Sequence, residues 1–190
     1  MKEESAIESL KQKLFQHKDL LLKVAREAIF EKKVTPSLQN VPSFLLEPMA
    51  TFVTLEKNGH LRGCIGSLEA HQPLILDIAQ NAYNAAYKDP RFPPVSSKEF
   101  DQLSISISVL TPPQPLPVSS EEELIQALVP FRDGVILQKG WRRGTFLPSV
   151  WESLPQPVDF VKHLKVKAGL SQEPWTPDIK VFTYRTIVLK

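Results

Sequence analysis

The chain predicts an α+β fold, a mostly antiparallel sheet flanked by helices, and three features carry that reading. Segments with apolar residues at three- and four-residue spacing are interleaved with short segments of alternating polarity. The dipeptide Asn58-Gly59 stands between the β-rich runs Thr51–Leu55 and His60–Ile65, in a turn whose two central residues must tolerate positive φ. The run Leu103-Ser104-Ile105-Ser106-Ile107-Ser108-Val109 alternates apolar and hydroxyl side chains without a break. That is a strand with one buried and one polar face. Hairpins this frequent argue against a doubly wound parallel sheet.

The elements follow in order. From Ser5 to about Lys33, residues Leu10, Leu14, Leu21, Leu22, Ala25, Ala28 and Ile29 recur at helical spacing, with Lys and Arg on the other face. A second helix can begin near His17, which places Asp19 in its first turn. Val34 to Met49 contains Pro36, Pro42 and Pro48 and reads as an extended connector. Pro73 suits the first position of a helix, and Leu74, Ile75, Ile78, Ala79, Ala82, Ala85 and Ala86 form its apolar stripe, ended by Asp89-Pro90. Ser96 and Glu99 have the spacing of a capping box just before the alternating strand.

Thr111 to Pro117 is a stiff, proline-rich loop. Ser119 or Ser120 then caps a helix to about Val129, with Glu121, Glu122 and Glu123 complementing its dipole. Gly134 to Gln138 and Gly144 to Leu147 read as strands around Lys139-Gly140-Trp141-Arg142-Arg143. Pro148 opens a short helix, and a longer one runs from about Val158 to Ala168 with Gly169 as its cap. Ile179 to Leu189 is the last predicted strand.

Composition narrows the function classes. The 190 residues carry 23 basic and 21 acidic side chains, a net charge of +2, which excludes a nucleic-acid binder acting through bulk charge. A single cysteine excludes an intramolecular disulfide framework and any Cys-rich metal site. Proline makes up 17 of 190 residues, against roughly 5% in average usage, so loops here are stiffened. The charged opening Met1-Lys2-Glu3-Glu4 is no secretory signal, and no apolar run approaches the roughly 20 residues that span a bilayer. A soluble cytoplasmic protein without a membrane partner is expected. No dinucleotide, phosphate-loop, zinc-protease or nucleophile-elbow fingerprint occurs, so neither a cofactor nor a metal is expected.

Two stretches carry chemistry. In Leu61-Arg62-Gly63-Cys64-Ile65-Gly66, an extended backbone places His60, Arg62 and Cys64 on one face. An arginine beside a thiol favours the thiolate. Gly63 and Gly66 let a ligand or another backbone come close. His60 lies about 13 Å along the strand from Cys64, too far to act on it directly. A two-residue turn at Asn58-Gly59 sets Val53 opposite Cys64 and Leu55 opposite Arg62, and an apolar neighbour makes Cys64 a small core residue. Both readings stand at this point. The second stretch, Asp89-Pro90-Arg91-Phe92, reads either as a small anion clamp or as a helix stop with a local ion pair. Trp141 with Arg142 and Arg143 could bind phosphate or a nucleic-acid base but reads rather as a solvated hairpin tip, and Lys162, Lys165 and Lys167 as a solvated helix face.

These motifs resemble those of the AMMECR family, whose prokaryotic members are the A component of the AmmeMemoRadiSam system. Besides the six-residue core motif and Asp89-Pro90-Arg91-Phe92, the resemblance takes in Leu20–Arg26, Phe52–Leu55, Ile107–Thr111, Asp133–Leu137, Thr145–Pro148 and Lys167–Leu170. It implies a single domain over residues 1–190, with a helical segment at about 5–33 and a family-type body at about 18–185. It also implies an AMMECR-type fold with a larger and a smaller subdomain. The family's activity is not established, its core motif is regarded as an active or binding site, and its members are associated with Memo-like and radical S-adenosylmethionine proteins. Ser149 and Asp133 depart from the family pattern, which has glutamine or glutamate and histidine there.

Two functions follow as expectations. One is a small enzyme using Cys64 as nucleophile with Arg62, while Gly63, Gly66, Asp89 and Arg91 bind its substrate, an unknown small molecule or peptide. The other is a binding or adaptor protein whose motif cleft docks a peptide or protein partner. Arg62 is expected to be partly buried beside a carboxylate. Arg62, Cys64, Asp89 and Arg91 are expected to share one cleft if the helix between them crosses the sheet.

Overall fold

Two four-stranded antiparallel sheets, each with its own core, make up the protein, an α+β fold. The computed structural model describes residues 2–190, with side chains from Glu4 onward. Met1, the first residue of the expected domain and of the charged opening, lies outside the described residues. The larger unit runs to Thr111 and takes back Ile187–Lys190, and the smaller one is Pro112–Thr186.

In the larger unit, α1 (Lys2–Gln16) and α2 (Lys18–Phe30) are separated at His17, whose φ of −111° and ψ of 12° leave the helical range. Helix α2 buries Leu21, Ala25, Ala28 and Ile29 of the predicted stripe and adds Val24, while Leu22 is only partly buried. The connector is not wholly extended, because a 3₁₀ turn at Ser43–Leu46 buries Leu45. Strands β1 (Thr51–Lys57) and β2 (His60–Gly66) are joined by Asn58 at φ 53° and Gly59 at φ 79°, the positive values the Asn-Gly pair tolerates. Helix α3 (Leu74–Tyr87) starts one residue later than expected, since Pro73 has an extended ψ of 139° and caps the helix from outside. The Ser96–Glu99 capping box forms and opens a 3₁₀ helix at Ser97–Gln102. Strand β3 (Leu103–Leu110) buries Leu103, Ile105, Ile107 and Val109.

The sheet order is β2-β1-β3-β8, with β8 at Thr186–Leu189. One face holds the core: Val53, Leu55, Ile105, Ile107, Ile187 and Leu189 pack with α2 and α3. Burying each such aliphatic side chain is worth about 1.5–3 kcal/mol relative to exposure. Ala79, Ala82, Ala85 and Ala86 keep α3 thin where it lies on β1 and β2. The opposite face carries Phe52, Thr54, Cys64, Ser104, Ser106 and Ser108, none of which joins that core.

In the smaller unit the order is β4-β7-β5-β6, with β4 at Gln114–Pro115, β5 at Gly134–Lys139, β6 at Arg142–Phe146 and β7 at Lys180–Tyr184. Helix α4 (Glu121–Ala127) begins at Ser120, whose hydroxyl accepts from the Glu123 amide at 3.1 Å. Helix α5 (Pro157–Lys167) ends before Gly169 at φ 73°, and Pro148 opens a 3₁₀ turn to Glu152. The core centres on Trp151, stacked on Phe160 at 3.7 Å, with its indole N–H donated to the Asp133 carbonyl at 2.7 Å.

Two further expectations fail, the second in part. The predicted last strand is two strands in different sheets, because β7 ends at Tyr184 and β8 begins at Thr186. Of the predicted solvated helix face, Lys167 is exposed and donates to the Thr145 carbonyl at 2.9 Å, but Lys165 is only partly exposed and pairs with Glu121 at 2.6 Å. Lys162 is exposed. Trp141 is 92% exposed at the β5–β6 tip, as read from the sequence, but Arg142 is tied down by Glu173. Among the described residues, no helix is long and apolar enough to cross a membrane.

Candidate functional site

The site begins with an irregularity in the hairpin. Lys57 pairs with His60 and Glu56 with Leu61, but Leu55 then faces Gly63, Thr54 faces Cys64, Val53 faces Ile65 and Phe52 faces Gly66. Arg62 is the extra residue of a β-bulge, which shifts one strand past the other by one position. The expected pairs Val53–Cys64 and Leu55–Arg62 therefore do not form. Nor does the expected common face: His60 is exposed at the turn, Arg62 is buried and Cys64 is half-buried.

The residue opposite Cys64 is polar instead of apolar. The Thr54 hydroxyl lies 3.3 Å from the Cys64 Sγ, and Thr54 in turn pairs with Ser106 on β3. A row of thiol, hydroxyl and hydroxyl thus runs across three strands on the face away from the helices. Thr54 and Ser106 were not singled out from the sequence, since only the true register reveals them.

Gly63 and Gly66 are approached by the protein itself. A Cβ on Gly63 would collide with the Ala85 carbonyl of α3, and one on Gly66 with the Phe52 ring. Gly63 is thus what lets α3 lie against β2. That packing brings the exit of α3 to the Cys64 end of the strand. Asp89 Oδ2 accepts the Cys64 amide at 2.9 Å, and Arg91 Nη2 donates to the Cys64 carbonyl at 3.2 Å. Both backbone groups of Cys64 that point off the sheet edge are therefore satisfied by side chains.

Asp89 and Arg91 also grip each other. Arg91 donates from Nε to Oδ1 at 3.0 Å and from Nη2 to Oδ2 at 2.7 Å, while its own amide bonds Oδ1 at 3.1 Å. Asp89 is buried, and its hydrogen bond from the Arg91 side chain, helped by the Cys64 and Arg91 amides, holds its carboxyl well below the usual range despite burial. Arg62 takes a different acid: Nε donates to Glu99 Oε1 at 2.9 Å and Nη2 to Oε2 at 3.2 Å. The bond from Arg62, then those from the Ser96 amide and Lys57, hold Glu99 far below its ordinary value as well. The ring of Phe92 lies 6.0 Å from the Arg62 Cζ and 5.6 Å from the Arg91 Cζ.

A second polar cluster fixes the chain just after Gly66. Asp77 is fully buried on α3 and accepts from the Thr51 amide and hydroxyl, Asn81, Ser67 and Gln72 at 2.6 to 3.1 Å. It anchors the exit of β2 and the entry of β1 to one helix. Nothing in the sequence pattern marks it, because an acid in an apolar stripe looks like a break in the stripe. Asp133, the departure from the family pattern, is bonded to Arg132 and to the Val129 amide in the smaller unit.

The AMMECR1 family model matches residues 22–189. A protein of Methanothermobacter thermautotrophicus is 38% identical over 175 residues, covering 87% of this chain and 89% of its own length. One of Thermotoga maritima is 40% identical over 155 residues, covering 80% and 84%. The crystal structure of an uncharacterised protein of Pyrococcus horikoshii, 34% identical, is similar over 89% of this chain and 88% of that one, with a TM-score of 0.75. With the same fold and a match over nearly the whole length, the chain belongs to the AMMECR1 family.

Proposed function

We propose that this protein is a binding module whose ligand-contacting surface is the helix-free face around Cys64, Thr54 and Ser106, and that it works in a pathway with Memo-like and radical S-adenosylmethionine proteins. One observation carries the reading: the only side chain hydrogen-bonded to the Cys64 thiol among the described residues is the Thr54 hydroxyl, which is no general base. The charged motif groups are engaged with one another, Asp89 with Arg91 and Glu99 with Arg62. Such an arrangement presents a surface with fixed geometry rather than a nucleophile with its base. Calorimetric titration with a purified Memo-like protein tests it. Binding that survives Cys64→Ser and is lost in Ser106→Arg, which blocks the face, is expected. Binding equal in wild type and Ser106→Arg, or no binding at all, defeats it.

A second reading, a Cys64 nucleophile acting on a small molecule or peptide, is favoured by one feature. Arg91 Nη2 donates to the Cys64 carbonyl at 3.2 Å, so a guanidinium sits beside the residue that bears the thiol. Reactive cysteines are commonly found beside such a cation. Under this reading iodoacetamide labels Cys64 at pH 7 faster than a free thiol, and Arg91→Gln slows the labelling. Labelling no faster than a free thiol removes it.

A further inference from the structure

The guanidinium of Arg62 is only half used. The residue is 8% exposed, and its Nε and Nη2 form a side-on pair with Glu99. A guanidinium is a planar fork of five N–H donors, so it has a second edge, Nη1 with the other hydrogen of Nη2, that matches an oxyanion equally well. On that edge Nη1 is buried and has no hydrogen-bond partner. Buried donors in folded proteins are almost always paired, so an orphan of this kind points to a role.

The surrounding charge points the same way. Glu99 serves two cations at once, because Lys57 Nζ also donates to Oε1 at 3.2 Å. Its Oε2 is further occupied by the Ser96 amide at 2.9 Å and hydroxyl at 3.1 Å. With Arg91 on Asp89, the cluster Lys57, Arg62, Arg91, Asp89 and Glu99 holds three cations against two carboxylates. These five groups together carry one net positive charge.

The ring of Phe92, which is half-buried, lies against the guanidinium groups of both Arg62 and Arg91. A ring face attracts a cation but accepts an N–H far less well than an oxygen. The backbone under Phe92 is held by the Asp89 bonds to Arg91 and by Pro90, Pro93 and Pro94, leaving side-chain rotation as its soft motion. We propose that the Nη1 edge of Arg62 receives an oxyanion, the carboxylate or phosphate of a ligand, and that Phe92 swings aside to admit it. The site needs no chemistry at Cys64 and stands whichever reading of the thiol holds.

Arginine-selective NMR of the full chain reads the site directly. Inorganic phosphate or acetate, titrated at constant ionic strength, shifts the Arg62 guanidinium resonances saturably, while chloride does not. Which of the two anions binds separates a phosphate from a carboxylate ligand. Arg62→Lys keeps the charge, lacks the second edge and loses binding. A closed gate weakens apparent affinity by its open fraction, and minor states are populated at roughly 10% or less, so Phe92→Ala binds about tenfold tighter or better. If Arg62→Lys does not fold, Phe92→Ala carries the comparison, since it leaves the Arg62–Glu99 pair in place. Unshifted Arg62 resonances in both wild type and Phe92→Ala overturn the proposal. Equal binding by Arg62→Lys overturns it too, and affinity unchanged by Phe92→Ala overturns the gate.

Discussion

Asp89 reaches back from the exit of α3 to accept the backbone amide of Cys64 at 2.9 Å, the contact that joins the two motifs. The carboxylate is buried and accepts four hydrogen bonds in all, three of them from Arg91. Removing it leaves the Cys64 amide at the sheet edge without its acceptor and frees a half-exposed guanidinium. Asp89→Ala should lower the unfolding free energy by about 2–3 kcal/mol, a value between that of a charged hydrogen bond and a buried pair discounted for the exposure of Arg91. Urea denaturation measures it as a lower midpoint at unchanged slope. A loss within about 0.5 kcal/mol of zero would show the clamp to be decorative.

Acid should weaken the larger unit over a defined window. Asp89 and Glu99 both titrate below their ordinary values of 3.8 and 4.5, held there chiefly by Arg91 and Arg62 respectively. A depressed folded-state value gives stability that is complete above the unfolded-state value and is lost as pH falls toward the folded one. Denaturation midpoints should therefore be flat from about pH 7 to 5 and decline below about pH 4. Glu99→Gln should flatten that decline. An acid limb of the same slope in the variant would assign the loss to other groups.

The two motif glycines should respond differently to the same added methyl. At Gly63 the obstacle is helix backbone, the Ala85 carbonyl, which cannot give way without moving α3. At Gly66 it is the side chain of Phe52. Gly66→Ala should cost about 1–3 kcal/mol, as overpacking does, and most of that should vanish in the Phe52→Ala background. Gly63→Ala should cost at least as much with no such rescue. Additive costs for Gly66→Ala and Phe52→Ala would contradict the packing described.

Two tryptophans ten positions apart should behave as opposites. Trp141 is 92% exposed, so Trp141→Ser should change stability by less than about 0.5 kcal/mol. Trp151 is fully buried, stacked on Phe160 and bonded to the Asp133 carbonyl, so Trp151→Ala should cost about 3–5 kcal/mol. Acrylamide quenching of single-tryptophan variants would check the assignment independently, with Trp141 quenched freely and Trp151 protected.

What the sequence made legible was local. The Asn58-Gly59 turn, the serine-alternating strand and the Ser96–Glu99 box each depend on neighbours within a few residues, and each formed. The register of β2 was misread because a bulge adds a residue without altering the apolar pattern. That single shift replaced Val53 by Thr54 opposite Cys64 and changed the chemistry of the thiol's surroundings. Arg62 found the carboxylate it was expected to need, but the partner was Glu99, already recognisable only as a cap. The cap uses Oε2 of Glu99, which Arg62 Nη2 shares, while Oε1 takes Lys57 from β1 and Arg62 Nε from β2, and no local pattern announces this. The join between Cys64 and Asp89 depended on how α3 crosses the sheet, and Gly63 decides that through a contact with Ala85.

The place of β8 in the first sheet sets an order of events during synthesis. Residues 112–186 form the whole of the smaller unit, and only after them does the chain return to lay β8 beside β3. Once the chain as far as Thr111 has emerged, it holds the residues of the core motif, α3 and the Asp89 clamp, but β3 has no partner on the side that β8 later takes. The ribosome adds about 5–20 residues per second, so that edge stays open for several seconds while the inserted unit is made. The serines of β3, which keep one of its faces polar, are then on the strand most exposed to wrong pairing, where a fully apolar strand would be a hazard.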